Sequence, residues 1–209
     1  MTDDLMESLP LQRQADVLAA LAAVESAHFP VPAKDFRALL EPPLRHVLEQ
    51  LLHRAGRVLI KVGPGYVSGY DDQVAAELAD LGIGILTPEQ RAVLTMVLLF
   101  TVAIPRAEGH LRGDDMWTSE HPVSPQLLET GTLQATVVRT ALRDLGYAGL
   151  IRRVANGIVP GPQFLRLTSR ATSVLFEELV LLAEPQGDLA LSIRRERGRP
   201  APSHEEHPA

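Results

Sequence analysis

The sequence predicts a mainly α fold with small β-hairpin wings, an α+β class, and three observations indicate it. Aromatic residues make up only 4% of the 209 residues, so the core must consist of Leu, Val and Ala, which favours helices. Apolar runs with central turn signals at 57–70 and 151–167 predict two hairpins. Helical patterns precede each hairpin in the same order. Three helices followed by a hairpin, repeated once, predict a tandem winged-helix protein.

Four segments follow from breaks in this pattern. The acidic start, MTDDLMESLP, lacks the apolar region of a signal peptide, and we expect residues 1–10 to be flexible. The first winged-helix unit is predicted at 11–86 and the second at 87–184. Abundant charge and Pro with few apolar residues predict a disordered tail at 185–209.

In the first unit, helical spacing and Pro positions define the elements. The expected helices cover 11–26, 32–40, 42–55 and 71–81. The inner side of the first helix is expected to carry Val17, Leu18, Leu21 and Val24. We also expect this helix to lie outside the minimal unit and to hide its apolar stripe against a second chain or a partner. Packing on its own unit is the alternative.

In the second unit, Thr87, Pro88 and Gln90 predict a capping box that starts a helix to about residue 104. A polar connection at 105–122 follows, and then a short helix at 124–129. Thr132 is the expected cap of the next helix, which should end between the glycines at 146 and 149.

The second wing is predicted to open at Leu150 and Ile151 and to turn at Asn156-Gly157. Pro160 and the residues after it are expected to stay out of the strand ladder, so that the return strand is 164–167. Thr168 or Ser169 then caps a final helix through Leu182.

Residues 132–170 carry six arginines and one aspartate, a net charge of +5, in a chain of net charge −6. Arg139 and Arg143 lie four apart on the polar face of a helix, and Arg152 and Arg153 lie at the wing. A basic helix face beside a basic hairpin is the usual footprint for a nucleic-acid phosphate backbone. These four arginines are therefore the candidate DNA-contacting residues. The alternative is a solvated surface whose arginines block edge pairing.

The sequence predicts no metal site and no catalytic site. The chain has no cysteine, which excludes disulfides and thiolate metal sites. Two groups of residues could be metal ligands by type, but each has too few converging partners for a metal site. They are His46 with His53, and the loop residues His110, Asp114, Asp115 and His121. No GxSxG motif occurs, and we expect no cofactor, no metal and no enzyme activity. The apolar run 92–104 is too short to span a membrane, and we expect a cytoplasmic protein.

The runs LRDLGYAGLIRRV at 142–154 and GPQFLRLT at 161–168, with the capped helix at Thr87, resemble the KITE proteins. These are tandem winged-helix subunits of SMC-type, condensin-like complexes, and the resemblance extends over about residues 11–184. It implies a non-catalytic, nucleoid-associated subunit that forms a homodimer and binds a kleisin beside an SMC-like ATPase. It also implies contact with double-stranded DNA in some members. The same runs fit winged-helix transcriptional regulators, which remain the alternative.

Overall fold

The structure is a computed structural model that describes residues 6–110, 117, 121–129 and 133–198. Two helical units follow one another, each with a small antiparallel sheet, which confirms the predicted α+β class. Met6 and Leu9, in the start that the sequence predicts to be flexible, pack against the core of the first unit. Residues 1–5, the expected cap at Thr132 and the tail after 198 lie outside the described residues.

Over residues 11–80 the structure has eight elements, which include the predicted hairpin. In chain order they are α1 (Leu11–Ser26), β1 (Val31–Pro32), a 3-10 turn (Ala33–Asp35), α2 (Arg37–Leu40), α3 (Pro42–Arg54), β2 (Arg57–Val62), β3 (Gly65–Tyr70) and α4 (Asp72–Asp80). The carboxylate of Asp71 accepts a hydrogen bond from the backbone N–H of Gln73 at 2.9 Å, which makes Asp71 the cap of α4.

Helix α1 belongs to the core of this unit, which corrects the expectation that it lies outside. Val17, Ala20 and Val24 are fully buried, and α1 packs against α2 and α3. Their spacing of three and four residues places them on one side of the helix. Leu18 points away from that side and is 52% exposed, so its predicted inward position is wrong.

In each unit, a short extended segment pairs with the return strand of that unit's own hairpin. β1 pairs with β3, with Val31 opposite Tyr66, and the strand order is β1-β3-β2. In the second unit, Val123 exchanges two backbone hydrogen bonds of 2.9 Å with Ile158 on the return strand of the hairpin. Strands of one or two residues give no alternating pattern, and the sequence therefore did not predict them. The shared order confirms two winged-helix units.

The second unit begins with the predicted capping box and ends beyond the predicted boundary. Its elements are α5 (Pro88–Leu98), a π-helical turn (Leu99–Ala103), α6 (Ile104–Ala107), α7 (Pro125–Leu128), α8 (Ala135–Tyr147), β4 (Ile151–Val154), β5 (Gly157–Pro160), a 3-10 turn (Pro162–Arg166), α9 (Ser169–Ala183) and α10 (Asp188–Arg197). Thr87 and Gln90 exchange the two bonds of the box, at 3.2 and 3.0 Å.

The long helix from Pro88 to Ala107 contains the π-helical turn because of a proline. Pro105 has no N–H, and its ring would crowd the carbonyl of Thr101 in a regular helix. By length and composition alone this 20-residue helix is apolar enough to cross a membrane. Val93 and Val97 are fully buried within the second unit, as expected for a core helix.

The second wing returns earlier than the sequence predicts. β5 pairs with β4, with Val154 opposite Gly157 and Ile151 opposite Pro160, whereas residues 162–166 form a 3-10 turn. The predicted return strand at 164–167, and the exclusion of Pro160 from the ladder, are therefore wrong. A two-residue turn brings the buried Ile158 back at once, and the Phe164 ring instead packs 4.7 Å from Trp117.

Helix α10 lies within the segment expected to be disordered, and this expectation is wrong for residues 188–197. Ala190 and Ile193 are buried against Val180 of α9. Arg197 donates hydrogen bonds to Glu177 at 2.8 Å and to Glu178 at 2.7 Å. The average composition of the tail conceals a short amphipathic helix whose apolar side faces α9.

One arginine of the second unit joins the two units. The guanidinium of Arg166 donates to the carbonyl oxygen of Ser68 at 2.6 Å, to that of Glu25 at 3.3 Å and to that of Ala27. Glu25 and Ala27 lie at the C-terminal end of α1, where carbonyl groups lack intrahelical partners. Burial and the nearby charge of Arg57 lower the pKa of Arg166, but an arginine stays protonated.

Two further contacts hold this joint. The hydroxyl of Thr168, the cap of α9, donates to the carboxylate of Asp72 at the start of α4, at 2.6 Å. Gly69 lies so close to the second unit that a Cβ atom there would be 2.1 Å from the carbonyl oxygen of Arg166. The first wing is therefore packed against the second unit.

Candidate nucleic-acid interface

Helix α8 is the third helix of its unit, the position of the recognition helix in helix-turn-helix proteins. Its buried residues recur at helical spacing and are Val138, Ala141, Leu142 and Leu145. The opposite face is exposed and carries Thr136, Arg139, Thr140, Arg143 and Tyr147. The apolar stripe thus turns the arginines of this helix to the outside, where a large ligand can reach them.

Arg139 is held by a carboxylate from the preceding helix. Its Nε donates to Glu129 Oε1 at 2.8 Å and its Nη2 to Oε2 at 3.2 Å. Glu129 follows α7, and its side chain is 23% exposed, against 67% for Arg139. The hydrogen bonds lower the pKa of Glu129 and raise that of Arg139, so both groups stay charged at neutral pH.

Arg143 has a weaker carboxylate partner. Its Nε lies 3.1 Å from Oδ1 of Asp144, the next residue along the helix. Only one nitrogen–oxygen contact forms, and the Arg143 side chain is 61% exposed. This guanidinium keeps free donors on its outer edge.

The two wing arginines, Arg152 and Arg153, are both exposed on β4, which packs beside α8. Adjacent strand residues point to opposite faces, so the sequence predicts that only one of them faces DNA directly. Within the described residues neither has an ion-pair partner. Their charges are therefore available on the edge of this small sheet.

The other arginines of the basic stretch lie elsewhere. Arg166 is in the joint between the units, where its donors are taken by backbone carbonyls. Arg170 is exposed on α9. The net charge of +5 is therefore not gathered on one surface, because tertiary packing removes Arg166 from it.

Sequence reasoning missed two features. Tyr147 is 86% exposed and lies one helical turn beyond Arg143, so that Arg139, Arg143 and Tyr147 form one row on α8. The spacing of four residues was the available signal. Exposed arginines also lie on α10, at Arg194 and Arg195, within the segment expected to be disordered.

The histidines contact individual neighbours within the described residues. His46 bonds to Gln50 at 2.8 Å on α3, and His110 stacks on His121 with ring centroids 5.8 Å apart. Asp114 and Asp115 lie outside the described residues. Within the described ranges, no group of three or more His, Cys, Asp or Glu side chains is placed to hold a metal ion.

Comparisons with solved structures find four chains that match this one. No protein-family model matches the chain, and no curated protein matches it. The crystal structure of ScpB from Mycobacterium tuberculosis is similar to it over 82% of this chain and 98% of that one. The sequence identity is 19% and the TM-score is 0.23.

Proposed function

We propose that this chain is a non-catalytic, KITE-like subunit of a condensin-like SMC complex, which binds a kleisin in the cytoplasm and associates with the nucleoid. The observation that carries the proposal is the tandem of two winged-helix units, fixed to each other by Arg166, of which the second exposes two arginines on its third helix and two more on its wing. One surface with exposed arginines on both helix and wing suits a subunit whose main partners are proteins. A dimeric regulator could still read two half-sites with one such helix from each chain.

The acidic remainder supports this division of roles. The whole chain has a net charge of −6 although residues 132–170 contribute +5. Negative potential elsewhere repels DNA and confines contact to the face of α8 and the second wing. We infer that Arg139, Arg143 and one of the two wing arginines, Arg152 or Arg153, contact the phosphate backbone of double-stranded DNA there.

A salt titration tests the DNA contact. Each phosphate contact contributes a slope of about −0.9 to log K against log salt, so three contacts give roughly −2.7. The variant Arg139→Ala/Arg143→Ala should lose affinity and roughly two contacts' worth of slope. Arg37→Ala/Arg194→Ala, which removes the same charge from exposed positions elsewhere, should keep most of both. Unchanged affinity and slope in the first variant would make α8 a solvated surface.

Reconstitution tests the assembly. We expect genes for a kleisin and an SMC-like ATPase beside the gene of this chain, and co-expression of the three proteins should give a stoichiometric complex on size-exclusion chromatography with multi-angle light scattering. No complex, together with a defined operator recovered by selection from random duplexes, would favour the winged-helix transcriptional regulator instead.

The outer face of α1 supports a homodimer, the second part of this proposal. Leu11 is 82% and Leu18 52% exposed, and the exposed Ala15 and Ala22 continue the same charge-free stripe. Spacings of four, three and four residues are those of a helix that packs against another helix. A second α1 related by a twofold axis offers the same stripe.

Leu11→Glu/Leu18→Glu tests the dimer by placing four like charges in it. We expect this variant to be monomeric by sedimentation at micromolar concentrations where the unchanged chain is dimeric. Leu127→Glu/Leu182→Glu, at exposed leucines of other helices, is the matched control and should remain dimeric. A chain that is monomeric at high micromolar concentration contradicts the homodimer.

A further inference from the structure

We propose that Glu129 is an intramolecular occupant of the phosphate-binding position on α8, so that DNA reaches Arg139 only by exchange with this carboxylate. The inference rests on the proposed DNA contact and concerns what sets its strength. It makes Glu129 a residue that lowers the affinity of the site, although Glu129 itself touches no ligand.

Arg139 and Glu129 form a two-bond pair that competes with phosphate binding. Arg139 Nε and Nη2 face the two oxygens of Glu129 at 2.8 and 3.2 Å, which is the paired fork that arginine also offers to a phosphate group. The same two donors cannot serve a carboxylate and a phosphate in that orientation. DNA contact through this edge of the guanidinium therefore requires the bond to Glu129 to break.

Glu129 is held in place more firmly than Arg139. It follows the short helix α7, and Ser124 caps the start of that helix through a bond to the N–H of Leu127 at 3.2 Å. Leu128, next to Glu129, is fully buried in the core of the unit. Glu129 is thus anchored on the scaffold, with a side chain less exposed than that of Arg139, and Arg139 is the partner with room to swing outward.

Asp144 has a smaller part in the same exchange. It contacts Arg143 through a single nitrogen–oxygen pair at 3.1 Å, so a phosphate can bind the remaining donors of Arg143 without displacing it. Arg152 and Arg153 need no exchange. We infer that the wing makes the first contact with DNA and that α8 joins when Glu129 is displaced.

The experiment compares Glu129→Gln with Glu49→Gln. Both changes remove one negative charge, and Glu49 lies on the exposed side of α3, the corresponding helix of the first unit, 3.9 Å from Arg45. Binding of a 20-base-pair duplex would be measured by fluorescence anisotropy over a range of salt. We expect Glu129→Gln to bind about two- to five-fold tighter than the unchanged chain, beyond any gain in Glu49→Gln. Its salt slope should differ from that of the unchanged chain by less than about 0.9, because Arg139 makes the same phosphate contact in both once Glu129 is displaced.

A double-mutant cycle links the gain to Arg139. In an Arg139→Ala chain, Glu129→Gln should give no more gain than Glu49→Gln does, because the donor that it releases is missing. A weaker Glu129→Gln chain would show that Glu129 orients Arg139 for DNA and would overturn the inference. Equal binding by Glu129→Gln and Glu49→Gln would also overturn it.

Failure of the proposed DNA contact gives a different pattern. If Arg139→Ala/Arg143→Ala binds as well as the unchanged chain, the contact itself is wrong, whatever Glu129→Gln does. If the arginine variant loses binding while Glu129→Gln equals its control, only the present inference is wrong. Thermal unfolding of each variant, followed by circular dichroism, checks that the fold is intact.

Discussion

The third helices of the two units have the same buried side and different exposed sides. The buried residues, in matching order, are Leu44, Val47 and Leu48 in α3 and Val138, Ala141 and Leu142 in α8. In that register, Arg45 corresponds to Arg139, but Glu49 stands where α8 has Arg143. Packing thus fixes one side of the helix in both units, while the charges on the other side are free to differ in position, with a carboxylate in α3 where α8 has its second arginine.

The two wings also differ in how exposed their arginines are. Arg57 of the first wing donates to the hydroxyl of Ser68 at 2.9 Å and lies 3.7 Å from Glu25, within the joint between the units. The second wing presents Arg152 and Arg153 to solvent. The first wing therefore uses Arg57 to hold the two units together and exposes only Lys61 as a cation, whereas both arginines of the second wing are available to a ligand.

The largest expected effect would test whether the buried sides are equivalent. Leu48→Ala and Leu142→Ala each remove a buried leucine, and we expect each to lower the free energy of unfolding by about 2–5 kcal/mol. Urea unfolding followed by circular dichroism measures both. A near-zero loss in one variant would show that the two cores are not packed alike.

Gly69→Ala should disturb the joint that occupies the first wing. The added Cβ atom would stand 2.1 Å from the carbonyl oxygen of Arg166, and both segments are backbone. We expect a loss of about 1–3 kcal/mol in the free energy of unfolding. Gly146→Ala on α8 is the control, because nothing lies within 4 Å of its added atom. It should stabilise the helix by roughly 0.5–1 kcal/mol; equal effects of the two changes would contradict the close approach at Gly69.

Arg166→Ala should loosen the same joint without adding atoms. Carbonyl groups at the end of α1 and on β3 lose their donor, with an expected cost of about 1–3 kcal/mol. We also expect the units to unfold in two resolved calorimetric transitions. Arg166→Lys should restore only part of the loss, because an ammonium group cannot reproduce the fork of a guanidinium. A single transition at the original temperature would show that the joint lies elsewhere.

Glu49→Arg would sharpen the comparison by making α3 resemble α8. The change gives α3 two arginines four residues apart and removes the carboxylate next to Arg45. We expect only about a two- to five-fold gain in affinity for duplex DNA, since Arg57 of the first wing is held in the joint and Lys61 is the only exposed cation on that wing. Glu77→Arg on the exposed side of α4 controls for the charge change. A gain that equals this control would mean that α3 cannot reach DNA.

The smallest effect concerns protonation of Glu129. Hydrogen bonding from Arg139 lowers the pKa of this carboxyl, so Arg139→Ala should raise it toward the ordinary value of about 4.3. The ion pair is thus present above the ordinary glutamate pKa and is lost as the pH falls through the lowered one. A carbon-detected NMR titration of the Glu129 carboxyl measures the shift. An unchanged pKa in Arg139→Ala would contradict the hydrogen-bonded pair.

The sequence by itself determined the features that depend on neighbours along the chain. The capping bonds at Asp71, Thr87 and Thr168 join residues two or three apart, and each is present. The hairpin at 57–70 and the buried stripe of α8 follow from spacing alone, because a helix or hairpin turns regularly spaced residues to one side. The exposure of Arg139 and Arg143 follows from the same stripe.

Only the tertiary structure decided the features whose partners are distant in the chain. The strand β1 has two residues and the bridge at Val123 has one, so neither can be predicted without the strand with which it pairs. By sequence alone, Arg166 counts as one of the cations of the basic stretch. In the structure it instead donates its hydrogen bonds to carbonyl groups about 140 positions earlier in the chain. Glu129 faces Arg139 because α7 and α8 turn toward each other, which no periodicity records. Local spacing sets which side of an element is polar, and packing sets which of its charges remain free.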